Sequence, residues 1–190
     1  MPFFPSLRPD AGVSDLYKAR RPVYLHWIRM GHEIMSEDGP LSKGERELIA
    51  TYVSSLNGCE YCRAAHLPAM ALHDIEQQVV DALLADILTA PVEERFKPLF
   101  RFVKKLALEP SALTQADADA VYAAGWSEEA LQSAIDVACR FSFMNRLVMG
   151  YGLTPPDAKT AKLEAERRNR HGYAHLTPEM SDQSSEDAAE

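Results

Sequence analysis

Glycine is scarce, nine in 190 residues, and no segment alternates apolar and polar residues as a half-buried strand would. Cysteine is scarcer still, three and odd in number. That excludes the disulfide framework of a small exported domain; in a reducing compartment such as the cytoplasm, a close cysteine pair is left for catalysis or metal binding. Basic charge is in deficit: 20 Lys and Arg against 28 Asp and Glu leave −8. Such a chain repels phosphate backbones and anionic lipid, so neither nucleic acid nor a membrane surface is an expected partner. Long apolar runs are missing as well, nothing approaching the ~20 residues needed to span a bilayer. The start, Met1-Pro2-Phe3-Phe4-Pro5, has neither a basic nor a long apolar segment, and a soluble, cytoplasmic protein is expected.

What is present is the composition of a folded domain, 46% hydrophobic and 25% charged, long enough to hold a core without staples. Nearly every apolar segment repeats at i, i+3, i+4, which predicts an all-α protein. Residues 1–10, with three prolines, are expected as an extended arm. Asp15 to Met35 reads as a helix broken or kinked at Pro22. Ser42 and Glu45 form a capping-box pattern that opens a helix to about Leu56, ended by Asn57-Gly58. A second helix starts near Cys59 and runs to about His73, bent at Pro68. Further helices are expected over Ile75–Leu88, over Val92–Leu108 with an interruption near Pro98, and over Gln115–Ala124. Ser127 caps the longest clean pattern, reaching Gly150, which should be a central core helix. Asp157 to Arg170 is helix-prone but charged, and is expected on the surface or against another subunit. One domain is expected over residues 1–180, with 181–190 as an acidic disordered tail.

The chemistry-bearing motif is Cys59-Glu60-Tyr61-Cys62 with His66 four residues on. At about 100° per residue, the two cysteines and the histidine fall within an arc of roughly 60° on one helical face. A helix start also favours thiolate, the reactive form, through its unpaired N–H groups and positive dipole end. The preceding helix should return antiparallel across Asn57-Gly58, bringing Glu47 to the height of His66. Ala50, Thr51 and Ser54 make the face around Glu47 a close-packing one, so its carboxylate is expected to turn inward and to need a partner such as His66. Glu45 is the nearest rival for that role. A zinc site of Cys59, Cys62 and His66 has no clear fourth ligand.

Glu47, eleven intervening residues, Cys59-x-x-Cys62, three more and His66 resemble the signature of the AhpD-like alkylhydroperoxidases, within the carboxymuconolactone decarboxylase-like superfamily. The pair Asn145-Arg146 is similar to one frequent in these proteins, and length and arrangement look most like the uncharacterised peroxidase-related branch. The resemblance implies an AhpD-like helical bundle, a homo-oligomer, and a thiol peroxidase needing neither metal nor haem. It implies that Cys62 attacks a hydroperoxide substrate, Cys59 resolves the sulfenic acid as a disulfide, and His66 with Glu47 relays the proton. A dithiol donor protein must then re-reduce the pair. Where the best-known members carry a histidine immediately before the second cysteine, this chain has Tyr61, which titrates near 10 and cannot act as a base at pH 7, though its hydroxyl can donate a hydrogen bond in support of the site. The alternative of another class is a non-catalytic redox sensor or assembly scaffold.

Other candidates are set aside. Cys139, among Val137, Ala138 and Phe141, is expected to be a buried inert thiol. His73 is expected at the surface, and Asn145 and Arg146 to serve structure. His171 and His175 lack an acidic cluster to share a metal with. Trp27 is expected in the core or at a subunit interface.

Overall fold

The computed structural model describes residues 1–173, and among these every regular element is helical. The α-helices are α1 (Val13–Ala19), α2 (Arg21–Ser36), α3 (Lys43–Leu56), α4 (Glu60–Ala71), α5 (Gln77–Ala85), α6 (Phe96–Leu108), α7 (Gln115–Ala123), α8 (Glu128–Gly150) and α9 (Ala158–His171), with one 3₁₀ turn at Pro110–Ala112. The all-α expectation holds. The predicted acidic tail and His175 lie outside the described residues.

Local chemistry sets several boundaries. Pro22 sits in the first turn of α2, where a missing N–H costs nothing, but its ring would clash with the carbonyl of residue 18 in a continuous helix. The break therefore falls at Arg20, and the segment Asp15–Met35, expected to be broken or kinked at Pro22, is two helices. The interruption expected near Pro98 does not occur; α6 instead runs unbroken through it. Ser42 accepts from Glu45 N at 3.2 Å and the Glu45 carboxylate accepts from Ser42 N at 2.6 Å. That capping box occupies Glu45 and removes it as a rival to Glu47. Gly58, at φ +65, reverses the chain between α3 and α4. Ser127 caps α8 through a bond from Ala130 N, as expected.

The core is organised around α8, which packs on α3 and α6. Ala134, Val137, Ala138 and Phe141 of α8 meet Ala50, Tyr52 and Val53 of α3 and Leu99, Phe100 and Val103 of α6, all of them buried. The small residues of α3 let α8 approach closely, and the hydroxyls buried there bond back to the helix, Thr51 to the Glu47 carbonyl and Ser54 to the Ala50 carbonyl, each at 2.8 Å.

Three expectations fail on packing. The first residues are a series of turns, not an extended arm: Phe3 N donates to the Tyr151 carbonyl at 2.9 Å and Phe4 stacks on Tyr151. Cys139 is exposed rather than buried, because it shares the outer stripe of α8 with Gln132, Asp136 and Phe143. The charged helix α9 does not lie on the outer surface alone. Its buried Ala161 and Ala165 let it pack against α4, which bears the cysteine pair.

Candidate active site

Cys59 is the N-cap of α4 and Cys62 lies one turn inside it. The cap position places the Cys59 sulfur near the backbone N–H groups of Tyr61 and Cys62, which favour its charge without a capping hydrogen bond to the side chain. The Cys62 thiol is the largest influence, and together with these N–H groups it brings Cys59 down to about 7 against the opposing cost of burial. Cys62 moves the other way. Its proton is held by the bond to Cys59, and burial raises it further. Ionisation of the pair is thus favoured at Cys59 over Cys62. The Asn145 side chain from α8 favours negative charge on both sulfurs; its amide donates to Ser54 Oγ at 3.0 Å and accepts from Asn57 at 2.9 Å. The asparagine expected to be structural thus acts on the thiols, while among the described residues exposed Arg146 bonds back to the Ser142 carbonyl.

His66, one turn beyond Cys62, meets the carboxylate of Glu47 across the α3–α4 pair. Nδ1 and Glu47 Oε2 are 2.6 Å apart, and both residues are 7% exposed. Burial holds the His66 imidazole below its ordinary range, while His66 holds the Glu47 carboxyl down despite its burial. The arrangement is a neutral imidazole donating from Nδ1 to a carboxylate, with Nε2 as the nitrogen left for the cavity side. Phe141 stands edge-on to the ring at 4.6 Å and fixes its plane.

Cys62 and His66 open onto a cavity of about 300 Å³. Its walls come from α1, α4, α8 and α9 and from Tyr173, with Tyr17, Phe141 and Met144 supplying apolar surface. Cys59 does not line it; it is 1% exposed and lies behind Cys62. The Tyr61 hydroxyl is taken up holding α1 in place, accepting from Val13 N at 3.0 Å. Pattern reading missed Arg140, Arg168 and Tyr173 on the cavity wall. A signal existed for the first: Arg140 stands three residues after Val137 and four before Met144, a charge in the apolar stripe of α8. His73 is half-buried beside a second, far smaller pocket behind Glu47. Trp27 packs on Phe143 and donates to the Met144 sulfur at 3.1 Å. Among the described residues no group of three or more His, Cys, Asp or Glu is placed to hold a metal ion.

Fold and site together define an AhpD-like helical protein with a buried dithiol beside a His–Glu pair. Residues 21–92, which contain Glu47, both cysteines and His66, match the Carboxymuconolactone decarboxylase family. Two solved structures are similar at TM-scores of 0.69 and 0.70. One is an uncharacterised peroxidase-related protein with an alkylhydroperoxidase AhpD core from Ralstonia eutropha JMP134, 25% identical over 78% of this chain and 77% of that one. The other is an uncharacterised peroxidase-related protein from Silicibacter sp. TM1040, 26% identical over 76% of each. The debrominase Bmp8, solved as its C82A variant with 2,3,4-tribromopyrrole, shares the fold at TM-score 0.60 and 18% identity over 80% of each chain. No curated protein matches the chain. The likeness drawn from the sequence to AhpD-like and peroxidase-related proteins is borne out.

Proposed function

We propose that this protein is a thiol-dependent peroxidase that reduces hydroperoxides through Cys62 and Cys59. The observation that carries the reading is the cavity wall, on which the Cys62 thiol and an imidazole backed by a buried carboxylate stand one helical turn apart. As the Cys62 sulfur attacks the terminal peroxide oxygen, its proton passes to Nε2 of His66. The Glu47 carboxylate stabilises the imidazolium. The O–O bond breaks, the alkoxide takes that proton from His66 and leaves as the alcohol, and Cys62 becomes a sulfenic acid. Cys59, already ionised at its helix cap, attacks the sulfenic sulfur, expels hydroxide and closes the disulfide. Two electrons have moved from the dithiol to the peroxide, and a dithiol donor protein returns them.

The reading includes a reducing, cytoplasmic setting, in which the pair can be restored. Among the described residues no helix is long and apolar enough to cross a membrane. It also includes a homo-oligomer, since Val23, Met30 and Phe143 leave an exposed apolar strip around Trp27. The test is consumption of cumene hydroperoxide with dithiothreitol as donor. Turnover by the wild type, lost in Cys62→Ser and stalled after one equivalent in Cys59→Ser, is the expected result. Undiminished turnover in Cys62→Ser refutes the assignment.

A further inference from the structure

The deep part of the cavity carries positive charge without a matching carboxylate. Arg140 is 2% exposed, and its one hydrogen bond among the described residues runs from Nη1 to the Trp27 carbonyl at 3.2 Å. Its Nε is buried with no acceptor, and no carboxylate among the described residues lies within salt-bridge distance. Its neighbours are the ring faces of Trp27 at 4.8 Å and Tyr173 at 5.0 Å, which carry no net charge. The group is held in place: a side chain at Gly31 of α2 would put a Cβ 2.1 Å from Arg140 Nη2.

A second guanidinium enters from α9. Arg168 donates from Nη2 to the Ala65 carbonyl at 2.7 Å, and its Nε is also buried without a partner among the described residues. The Tyr173 hydroxyl, buried and without a hydrogen-bond partner among the described residues, feels both guanidiniums. All three residues line the cavity that Cys62 and His66 share.

The acidic groups of the wall are engaged elsewhere. Asp15 accepts from Gly12 N at 2.9 Å and lies 3.9 Å from Arg8, which also faces Asp10 at 3.6 Å. Glu164 pairs with Arg167 at 2.8 Å. Glu47 lies within the field of Arg168 but is bound to His66. With His66 neutral, Glu47 and a Cys59 thiolate are the anions opposite the two guanidiniums, but Glu47 is bound to His66 and Cys59 to the Cys62 thiol. The Nε groups of Arg140 and Arg168 are thus left without an acceptor among the described residues, and buried donors of this kind call for one.

We infer that the cavity takes an amphipathic organic acid. Its carboxylate is held by Arg140, Arg168 and the Tyr173 hydroxyl, and its apolar body lies against Phe141 and Met144. A guanidinium fork and a phenol suit a carboxylate better than a neutral amide or alcohol. A volume of about 300 Å³ suits a body of about a dozen non-hydrogen atoms. The substrate class that follows, resting on the peroxidase reading, is a hydroperoxide that bears a carboxylate at the end away from the O–O bond.

Binding is measured apart from chemistry by calorimetry on the full-length Cys62→Ser protein, with 4-isopropylbenzoate and the neutral 4-isopropylbenzamide as probes. The carboxylate is expected to bind about tenfold to a hundredfold more tightly, a preference that Arg140→Gln removes and Arg168→Gln reduces. Circular dichroism checks that each variant is folded. If Arg140→Gln fails to fold, Arg168→Gln and Tyr173→Phe decide. Equal binding of the two probes, or a preference that survives in the folded variants, overturns the inference. Turnover of cumene hydroperoxide against its 4-carboxylate separates the two readings. Arginine-dependent binding without turnover leaves the acid site standing and removes the peroxidase; turnover with no preference for the acid does the reverse.

Discussion

Removing the Glu47 carboxylate is the sharpest perturbation of the site, because its partner cannot turn to water. The His66 Nδ1–H donates across 2.6 Å to a group that is itself 7% exposed, with Phe141 closing one side. In Glu47→Ala the N–H is left buried without an acceptor, and a charge-assisted bond of about 1.5–3 kcal/mol is lost. The space vacated beside close-packed α4 adds to that, so a total loss of about 2–4 kcal/mol is expected. Glu47→Gln keeps an oxygen acceptor in nearly the same place and should cost about 1 kcal/mol, yet it removes the charge that stabilises the imidazolium. Peroxide turnover in that variant is expected to fall about a hundredfold. Urea unfolding at constant m reads the stability, and the variant with intact packing and failed turnover isolates the proton relay. Acidification gives the same pair a second readout. The folded chain keeps His66 neutral by burial, while the unfolded chain takes up a proton near 6.5. Stability that is complete above that value therefore declines as the pH falls beneath it. Glu47 is held below the ordinary carboxylate range, so it adds a further loss once the pH drops under about 4.3 and through the folded value. Glu47→Gln deletes the lower step and leaves the upper. A Glu47→Ala protein as stable as the wild type, or a wild type that gains stability between pH 7 and 5.5, refutes the pair as described.

Thiolate absorbance at 240 nm should titrate with a midpoint of about 7, assigned to Cys59; Cys62→Ala and Asn145→Ala each remove a donor and should move it upward by about one unit, and an unmoved midpoint contradicts the N-cap account. Gly31→Ala drives a methyl into the Arg140 guanidinium, 2.1 Å from Nη2, and should cost about 1–3 kcal/mol in thermal unfolding, whereas a neutral effect would show that the guanidinium is not confined. Gly58→Ala meets no atom within 4 Å but must adopt φ +65, so a loss of about 1 kcal/mol of purely backbone origin is expected.

Much of this protein was legible in the order of its residues, because the decisive signals are local. Ser42 with Glu45, Gly58 and Ser127 set helix ends through bonds and torsions made within four residues, and the elements stand where those signals put them. Cys59, Cys62 and His66 share a face because one helix carries all three, and Glu47 follows once two helices are joined by a two-residue turn. What could not be read is what arrives from elsewhere in the chain. Asn145 acts on the sulfurs from 83 residues beyond Cys62, and the site's outer wall is built by α9, whose charged sequence suggests solvent until Ala161 and Ala165 are seen pressed onto α4. Cys139 shows the same limit in reverse: apolar neighbours in sequence gave it a buried look, but helical phase turns it outward. The motif by itself determined that two thiols, an imidazole and a carboxylate come together. Only the tertiary structure decided which sulfur faces the cavity, which ionises more readily, and that two arginines wait beside them, since solvent access and electric field depend on every element packed around the site.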